Sequence, residues 1–228
     1  MRFIDLGTVT PEYSVCVDKV LLSSYSEDTL LLYSRDRPCI SVGRFQRVED
    51  TVDLEYIRRN GISLVRRVSG GSNIYSDEGQ ITYSLIMSKD RLPVSRNDSF
   101  AMICGAVVDV LNILGVDGEY KPINDILVNG RKISGGAQAR SAYAVLQHGS
   151  MILDVDDGVV KASLKDRKKR SYDGLTSIRE HLGYVPSRDA IASAFMSGFS
   201  KTFGPVTEGR LDDAEIRMIE RSVGSLLV

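Results

Sequence analysis

The chain opens with a short apolar run, Phe3-Ile4-Asp5-Leu6, followed from Pro11 by an amphipathic stretch carrying Val15, Val17, Val20, Leu21 and Leu22. This pattern predicts a strand and then a helix with proline in its first turn. Thr29 to Tyr33 and Cys39-Ile40-Ser41-Val42 read as strands, and Leu54 to Arg59 as a short helix stopped by Asn60-Gly61. Polar and apolar positions alternate again from Leu64 to Val68 and from Gln80 to Met87, which predicts two more strands. Phe100 to Leu114 carries Met102, Ile103, Val107, Val110 and Leu111 at helical spacing, with a cap expected within Asn97 to Ser99 and a stop at Gly115.

Asp125-Ile126-Leu127-Val128 and Arg131-Lys132-Ile133 flank Asn129-Gly130, the pair best suited to a two-residue type I′ turn because both central positions need positive φ. Ala142 to Asp154 adds strand material. Beyond it the pattern turns helical, with Ile191, Phe195, Phe199 and Phe203 four apart and a final helix expected from Asp212, with Glu215 as capping-box partner. Short strands interrupted by single helices predict an α+β fold with a mixed, mainly antiparallel sheet flanked by helices. A single domain over residues 1–228 is expected, ending in a helical tail over about 176–228.

At 228 residues, 43% hydrophobic and 26% charged, the chain suits one well-buried globule. Its net charge of -1, with both signs interspersed, creates no global field for nucleic acid or an anionic membrane. No segment approaches the roughly 18 consecutive apolar residues of a spanning helix, so a cytoplasmic protein is expected. Cys16, Cys39 and Cys104 match neither a metal pattern nor a disulfide framework and read as buried free thiols.

Two clusters carry candidate chemistry. In Arg66-Arg67-Val68-Ser69-Gly70-Gly71-Ser72-Asn73-Ile74-Tyr75-Ser76-Asp77 the glycines let backbone N–H groups approach an anionic ligand, although a tight strand connection uses the same residues. Adjacent strand residues face opposite ways, so one arginine reaches the loop's ligand, and Arg67 is the nearer. The second cluster is Asn124-Asp125, a strand, the Asn129-Gly130 turn and Lys132-Ile133-Ser134-Gly135-Gly136-Ala137-Gln138. Lys132 on the returning strand is placed to hold a carboxylate or phosphate. Asp125 is a candidate magnesium ligand, or a residue that simply precedes the strand.

Taken together, the clusters resemble the lipoate-protein ligases of the biotin and lipoate ligase superfamily, which carry Arg-Arg-x-Ser-Gly-Gly-Gly and Asn-Asp-(strand)-Lys-hydrophobic-Ser-Gly-x-Ala in this order. Gly43-Arg44-Phe45-Gln46 and Gln147-His148-Gly149-Ser150 resemble further family motifs, and the likeness spans roughly residues 30 to 205. It implies a catalytic domain of the class II aminoacyl-tRNA synthetase and biotin ligase type. It also implies that ATP with magnesium activates lipoate or octanoate to the acyl-adenylate, from which the acyl group passes to a lysine of a lipoyl domain. By the resemblance Lys132 contacts both acyl carbonyl and phosphate. Arg67, Gly70, Gly71, Ser72, Asn73, Ile74 and Tyr75 cover the adenylate, and Asn124 and Asp125 lie on the nucleotide and magnesium side. Arg67, Lys132, Ser134, Gly135, Ala137 and His148 surround the lipoate, His148 as a pocket wall rather than a base. The implied partners are lipoyl domains of 2-oxoacid dehydrogenase complexes or the glycine cleavage H protein.

The family loop usually continues with a third glycine, an alanine and, before the aspartate, a histidine, where this chain has Ser72, Asn73 and Ser76. Family ligases often carry a further C-terminal domain, so a separate accessory polypeptide is one expectation. Another is an octanoyl or lipoyl transferase, and a third is a non-catalytic lipoyl-binding paralogue. Such transferases need a nucleophilic cysteine near the acyl carbonyl, and no cysteine lies just before Asn124-Asp125 or near Lys132. The arginine-rich biotin ligase loop is missing. The basic run from Lys165 to Arg170 reads as a solvated segment or as a patch that steers acidic acceptor domains.

Overall fold

The computed structural model describes residues 1–164 and 174–226, so the basic run lies outside the described residues. In chain order the elements are β1 (Arg2–Val9), α1 (Pro11–Ser23), β2 (Thr29–Arg35), β3 (Cys39–Val42), α2 (Val48–Thr51), α3 (Leu54–Arg59), β4 (Ser63–Arg66) and β5 (Ile74–Ser76). They continue with β6 (Gln80–Ser88), α4 (Arg96–Ile113), β7 (Glu119–Lys121), β8 (Asp125–Val128), β9 (Arg131–Arg140), β10 (Ala144–Ile152), α5 (Asp157–Ser163), α6 (Ile178–Leu182), α7 (Arg188–Phe203), β11 (Thr207–Glu208) and α8 (Asp213–Gly224).

Eight strands form one sheet in the order β11-β1-β2-β6-β10-β9-β8-β7. Its β11–β1 and β1–β2 pairs are parallel and the others antiparallel. A second sheet, β4-β3-β5, has three strands. The fold is thus α+β with a mainly antiparallel sheet flanked by helices, as the alternation predicts. Asn129 (φ 51°) and Gly130 (φ 76°) make the β8–β9 turn with two positive φ values, as a type I′ hairpin requires.

Helices α4 and α7 cover one face of the large sheet. The four-residue spacing of Phe195, Phe199 and Phe203 lays these rings along one stripe of α7, and Tyr83 of β6 meets Phe195 and Phe199 at centroid separations of 5.6 and 6.2 Å. Such tilted pairs add about 1 kcal/mol each beyond area burial. On the opposite face, α1 and α8 pack on Leu31, Tyr33, Ile86 and Leu146. The capping box of Asp212 and Glu215 is present, and Glu215 also takes both Nη atoms of Arg2, at 2.5 and 3.1 Å. Contacts among Val15, Cys39 and Val65 join the small sheet to α1.

The elements depart from the predicted pattern in a few places. Helix α4 starts at Arg96, because Ser95 rather than a residue of Asn97 to Ser99 caps it by accepting from the Asp98 N–H. Residues 74–76, read as loop, pair with β3. No helix among the described residues is long and apolar enough to cross a membrane.

Candidate active site

The β8–β9 hairpin and the loop after β4 meet at one cavity of about 100 Å³, whose walls include Asn73, Ile74, Tyr75, Lys132, Gly135 and Ser150. A register shift between Ile126 and Leu127 alters how the two hairpin strands pair and so re-aims the side chains beyond it. Lys132 Nζ lies 2.6 Å from Asp125 Oδ1, both side chains being partly buried. The ammonium crosses over Gly135, where an added Cβ would overlap Lys132 Nζ and Cε. The glycine three residues after the lysine is therefore the space in which that ammonium lies. Backbone bonds of 2.9 Å from Lys132 N–H to Gly174 C=O and from Thr176 N–H to Lys132 C=O fix the lysine's own backbone. Asn124 ties the start of β8 to β9, with Nδ2 donating to Gly136 C=O at 2.5 Å.

The two arginines of the other cluster diverge as strand geometry predicts. Arg66 lies on the outer side, where Nη1 donates to the carbonyls of Gly43 and Gln46 at 2.9 Å and shapes the 43–46 turn. Arg67 is 4% exposed. Its Nη1 donates to Ser41 C=O, and its Nη2 to the carbonyls of Gly70 and Ser72, all at 2.7 Å, while Nε donates to Ser69 Oγ at 3.0 Å. Gly71, at φ +89°, lets the loop fold back over this guanidinium. Burial first, and then the charge of Arg35, pull Arg67 down to about 10.

Ser69, His148 and Asp18 form a buried chain: Ser69 Oγ is 2.6 Å from His148 Nε2, and His148 Nδ1 is 2.6 Å from Asp18 Oδ2. The residue types are those of a hydrolase triad. Ser69, however, is 1% exposed and accepts the Arg67 Nε–H bond, so the chain fastens the diglycine loop to β10 and α1. Asp18 and Arg35 were not singled out from the sequence. The one signal for Asp18 was an acid among Val15, Val17, Val20 and Leu21; Arg35 simply follows the apolar run of β2.

Asn73, Ile74, Tyr75, Lys132 and Gly135 thus share the main cavity. Arg67 and His148 line a smaller chamber beyond it. Ala137 supports the loop, its Cβ being 3.9 Å from where a Cβ on Gly71 would stand. Ser134 is buried with no hydrogen-bond partner for its hydroxyl, and it pairs in register with Ile126, which packs in the α4–α7 core. Ser72 and Asn73, where the family has small residues, are held locally: the Ser72 carbonyl by Arg67, and Asn73 Nδ2 by Thr51 Oγ1 at 2.7 Å. Among the described residues no cluster of three histidine, cysteine or acidic side chains could hold a metal.

All three cysteines are buried free thiols, and none contributes to the walls of either cavity. Burial pushes the Cys39 thiol up to about 11 and the Cys104 thiol to about 12. Neither forms thiolate readily near neutral pH, and the thiolate is the nucleophilic species.

The family model for the lipoyl protein ligase A/B catalytic domain matches residues 10–200. An octanoyltransferase LipM of Geobacillus kaustophilus is 29% identical over 95% of this chain and 91% of its own length. The bi-partite lipoate protein ligase of Thermoplasma acidophilum, from a structural study of an archaeal lipoylation system with its E2 lipoyl domain, superposes with a TM-score of 0.87 at 26% identity, covering 98% of this chain and 91% of that one. A lipoate-protein ligase A bound with ATP gives a TM-score of 0.86 at 27% identity, over 98% of this chain and 94% of that one. With two thirds or more of its length matched, the chain belongs to the lipoyl protein ligase A/B catalytic-domain family.

Proposed function

We propose that this chain is the catalytic part of an ATP-dependent lipoate-type ligase. A carboxylate oxygen of the acid attacks the α-phosphorus of ATP and pyrophosphate leaves; the lysine amine of an acceptor domain then attacks the acyl carbonyl and AMP leaves. The observation that carries this reading is a lysine ammonium facing a cavity that no thiol lines. In it Lys132 stabilises the charge that develops at both acyl carbonyl and phosphate, which is where preorganised donors lower barriers most. The loop from Gly70 to Tyr75, with the Arg67 side chain beneath it, holds the adenylate in line for attack. His148 is a wall of the acyl site. Asn124 and Asp125 face the nucleotide, and the single Asp125 carboxylate fits a magnesium ion that arrives on phosphates and takes one or two carboxylates from protein.

The acceptor in this reading is a lipoyl domain, and a separate accessory polypeptide completes the ligase, as the bi-partite Thermoplasma enzyme suggests. The likeness to an octanoyltransferase favours a second reading, transfer from an acyl carrier protein. That chemistry needs a nucleophile at the acyl carbonyl, and the buried thiols do not supply one. The test is lipoate transfer to a purified lipoyl domain, with ATP and with preformed lipoyl-adenylate, with and without a candidate accessory chain. Ligation predicts transfer from both donors. Transfer only from octanoyl carrier protein, with a thioester adduct on a cysteine, supports the second reading, and no modified acceptor under any condition leaves a binding protein.

A further inference from the structure

Strand β10 leaves β9 before the lysine is reached: their last pair is Ser134 with Met151. Beyond it, residues 174–176 take the place of β10, and Leu175 forms a parallel bridge with Lys132. Both backbone groups of Lys132 are engaged there, the N–H by Gly174 C=O and the C=O by Thr176 N–H. Leu175 is also a wall of the main cavity. The lysine therefore takes its backbone geometry from a segment distant along the chain.

That segment is tied to the lysine's neighbour by one carboxylate. Glu180 of α6 accepts from Arg131 Nη1 through Oε1, and from Thr176 Oγ1 through Oε2 at 3.1 Å. Arg131 Nη2 also donates to Leu175 C=O. A closed ring results, running from Lys132 to Arg131 along the chain, on to Glu180, then to Thr176 and back to the Lys132 C=O. Thr176 is fully buried. Its hydroxyl gives its proton to the carboxylate, so His181 Nε2, 2.9 Å away, carries the hydrogen that the hydroxyl oxygen accepts. Helix α6 is fixed in turn, with Ile178 buried in the α4–α7 core and Arg179 N–H donating to Leu153 C=O at 3.0 Å. The bond from Arg131 holds the Glu180 carboxyl below its ordinary range, which keeps it ionised at neutral pH. The side chains of Arg131 and Glu180 are 39% and 45% exposed, and pairs so exposed add little to stability. What the ring supplies is placement.

We infer that Glu180 is a positioning residue for Lys132: by holding Arg131 and Thr176 together it fixes the backbone from which the ammonium crosses Gly135 towards the reacting atoms. The inference rests on the reading of Lys132 as the group that meets acyl carbonyl and phosphate. A donor that must meet developing charge at hydrogen-bond distance loses effect steeply when displaced.

Lipoate-dependent exchange of radiolabelled pyrophosphate into ATP, measured with the full chain and a candidate accessory polypeptide, tests it. Glu180→Gln is expected to lower the exchange rate at saturating substrates by about tenfold, the scale of a small displacement of a reacting group. KM for lipoate and ATP and the melting temperature should stay near wild type. Thr176→Val, which removes the hydroxyl at nearly constant shape, should match Glu180→Gln, and Thr176→Ser should restore exchange. The deciding arm is the Lys132→Met background, where Glu180→Gln should cause no further loss because it acts only through the ammonium. Unchanged exchange in Glu180→Gln, or an equal further loss in the Lys132→Met background, overturns the inference and leaves the proposed function standing. If Thr176→Val fails to fold, Glu180→Gln alone and combined with Lys132→Met still decides. Absence of lipoate-dependent exchange from the wild-type chain defeats the proposed function itself and the inference with it.

Discussion

The β8–β9 hairpin and the loop after β4 each place a cation beside a glycine pair, Lys132 at the main cavity and Arg67 at the chamber adjoining it, yet they use it in opposite ways. Lys132 is partly exposed, paired with one carboxylate and set across Gly135. Arg67 is buried, with four donors committed to its own loop and to β3. In the proposed reaction the first cation meets the reacting charge; the second keeps the shape of its own loop. One composition, basic residue plus diglycine, therefore serves chemistry on one side, in the proposed reaction, and architecture on the other. Arg67 takes the architectural role because backbone carbonyls converge on it.

Removing Lys132 should break the comparison most visibly. Lys132→Met is expected to lower acyl transfer from ATP and lipoate by roughly 10²–10³, the effect of deleting one preorganised donor, while the melting temperature stays near wild type; less than tenfold loss contradicts the role. Arg67→Ala should act through stability instead. It strips donors from the carbonyls of Ser41, Gly70 and Ser72, and urea titration should record a loss of about 3 kcal/mol, each orphaned buried group costing 1–3. Arg67→Lys should recover only part of that, since one ammonium does not reproduce the planar fork. Gly135→Ala forces the ammonium aside and is expected to slow transfer by about tenfold, within the range that displacements of this size produce, with full folding by circular dichroism. Cys104→Ala should change transfer by less than about twofold, because the buried thiol lines neither cavity; loss of activity there would point to an acyl-thioester route.

Much of the fold could be read from the chain because local chemistry agreed with tertiary need. Asn129-Gly130, Gly115 and the Asp212–Glu215 box mark turns and caps where the structure has them. The strand β5 was hidden, since three residues after a diglycine carry no periodicity and pair only because β3 presents an edge. The same holds for β7 and β11, at three and two residues. At the site, Lys132 and the loop could be brought to one cavity by family motif, but the Asp18–His148–Ser69 chain links positions 130 and 79 residues apart, and no local pattern encodes such a contact. Arg35 escaped for a related reason: it simply follows the apolar run of β2, and its partners Ser14 and Ser76 come to it from α1 and β5 only in the assembled fold.

The central claim is that the acid is activated by nucleotide at Lys132 rather than carried on a thiol. Radiolabelled pyrophosphate exchange into ATP, measured with the chain and a candidate accessory polypeptide in the presence and absence of lipoate, tests it most directly. Exchange that appears only when lipoate is added is the predicted result. Exchange indifferent to lipoate, or none at all from a preparation that still lipoylates its acceptor, contradicts it.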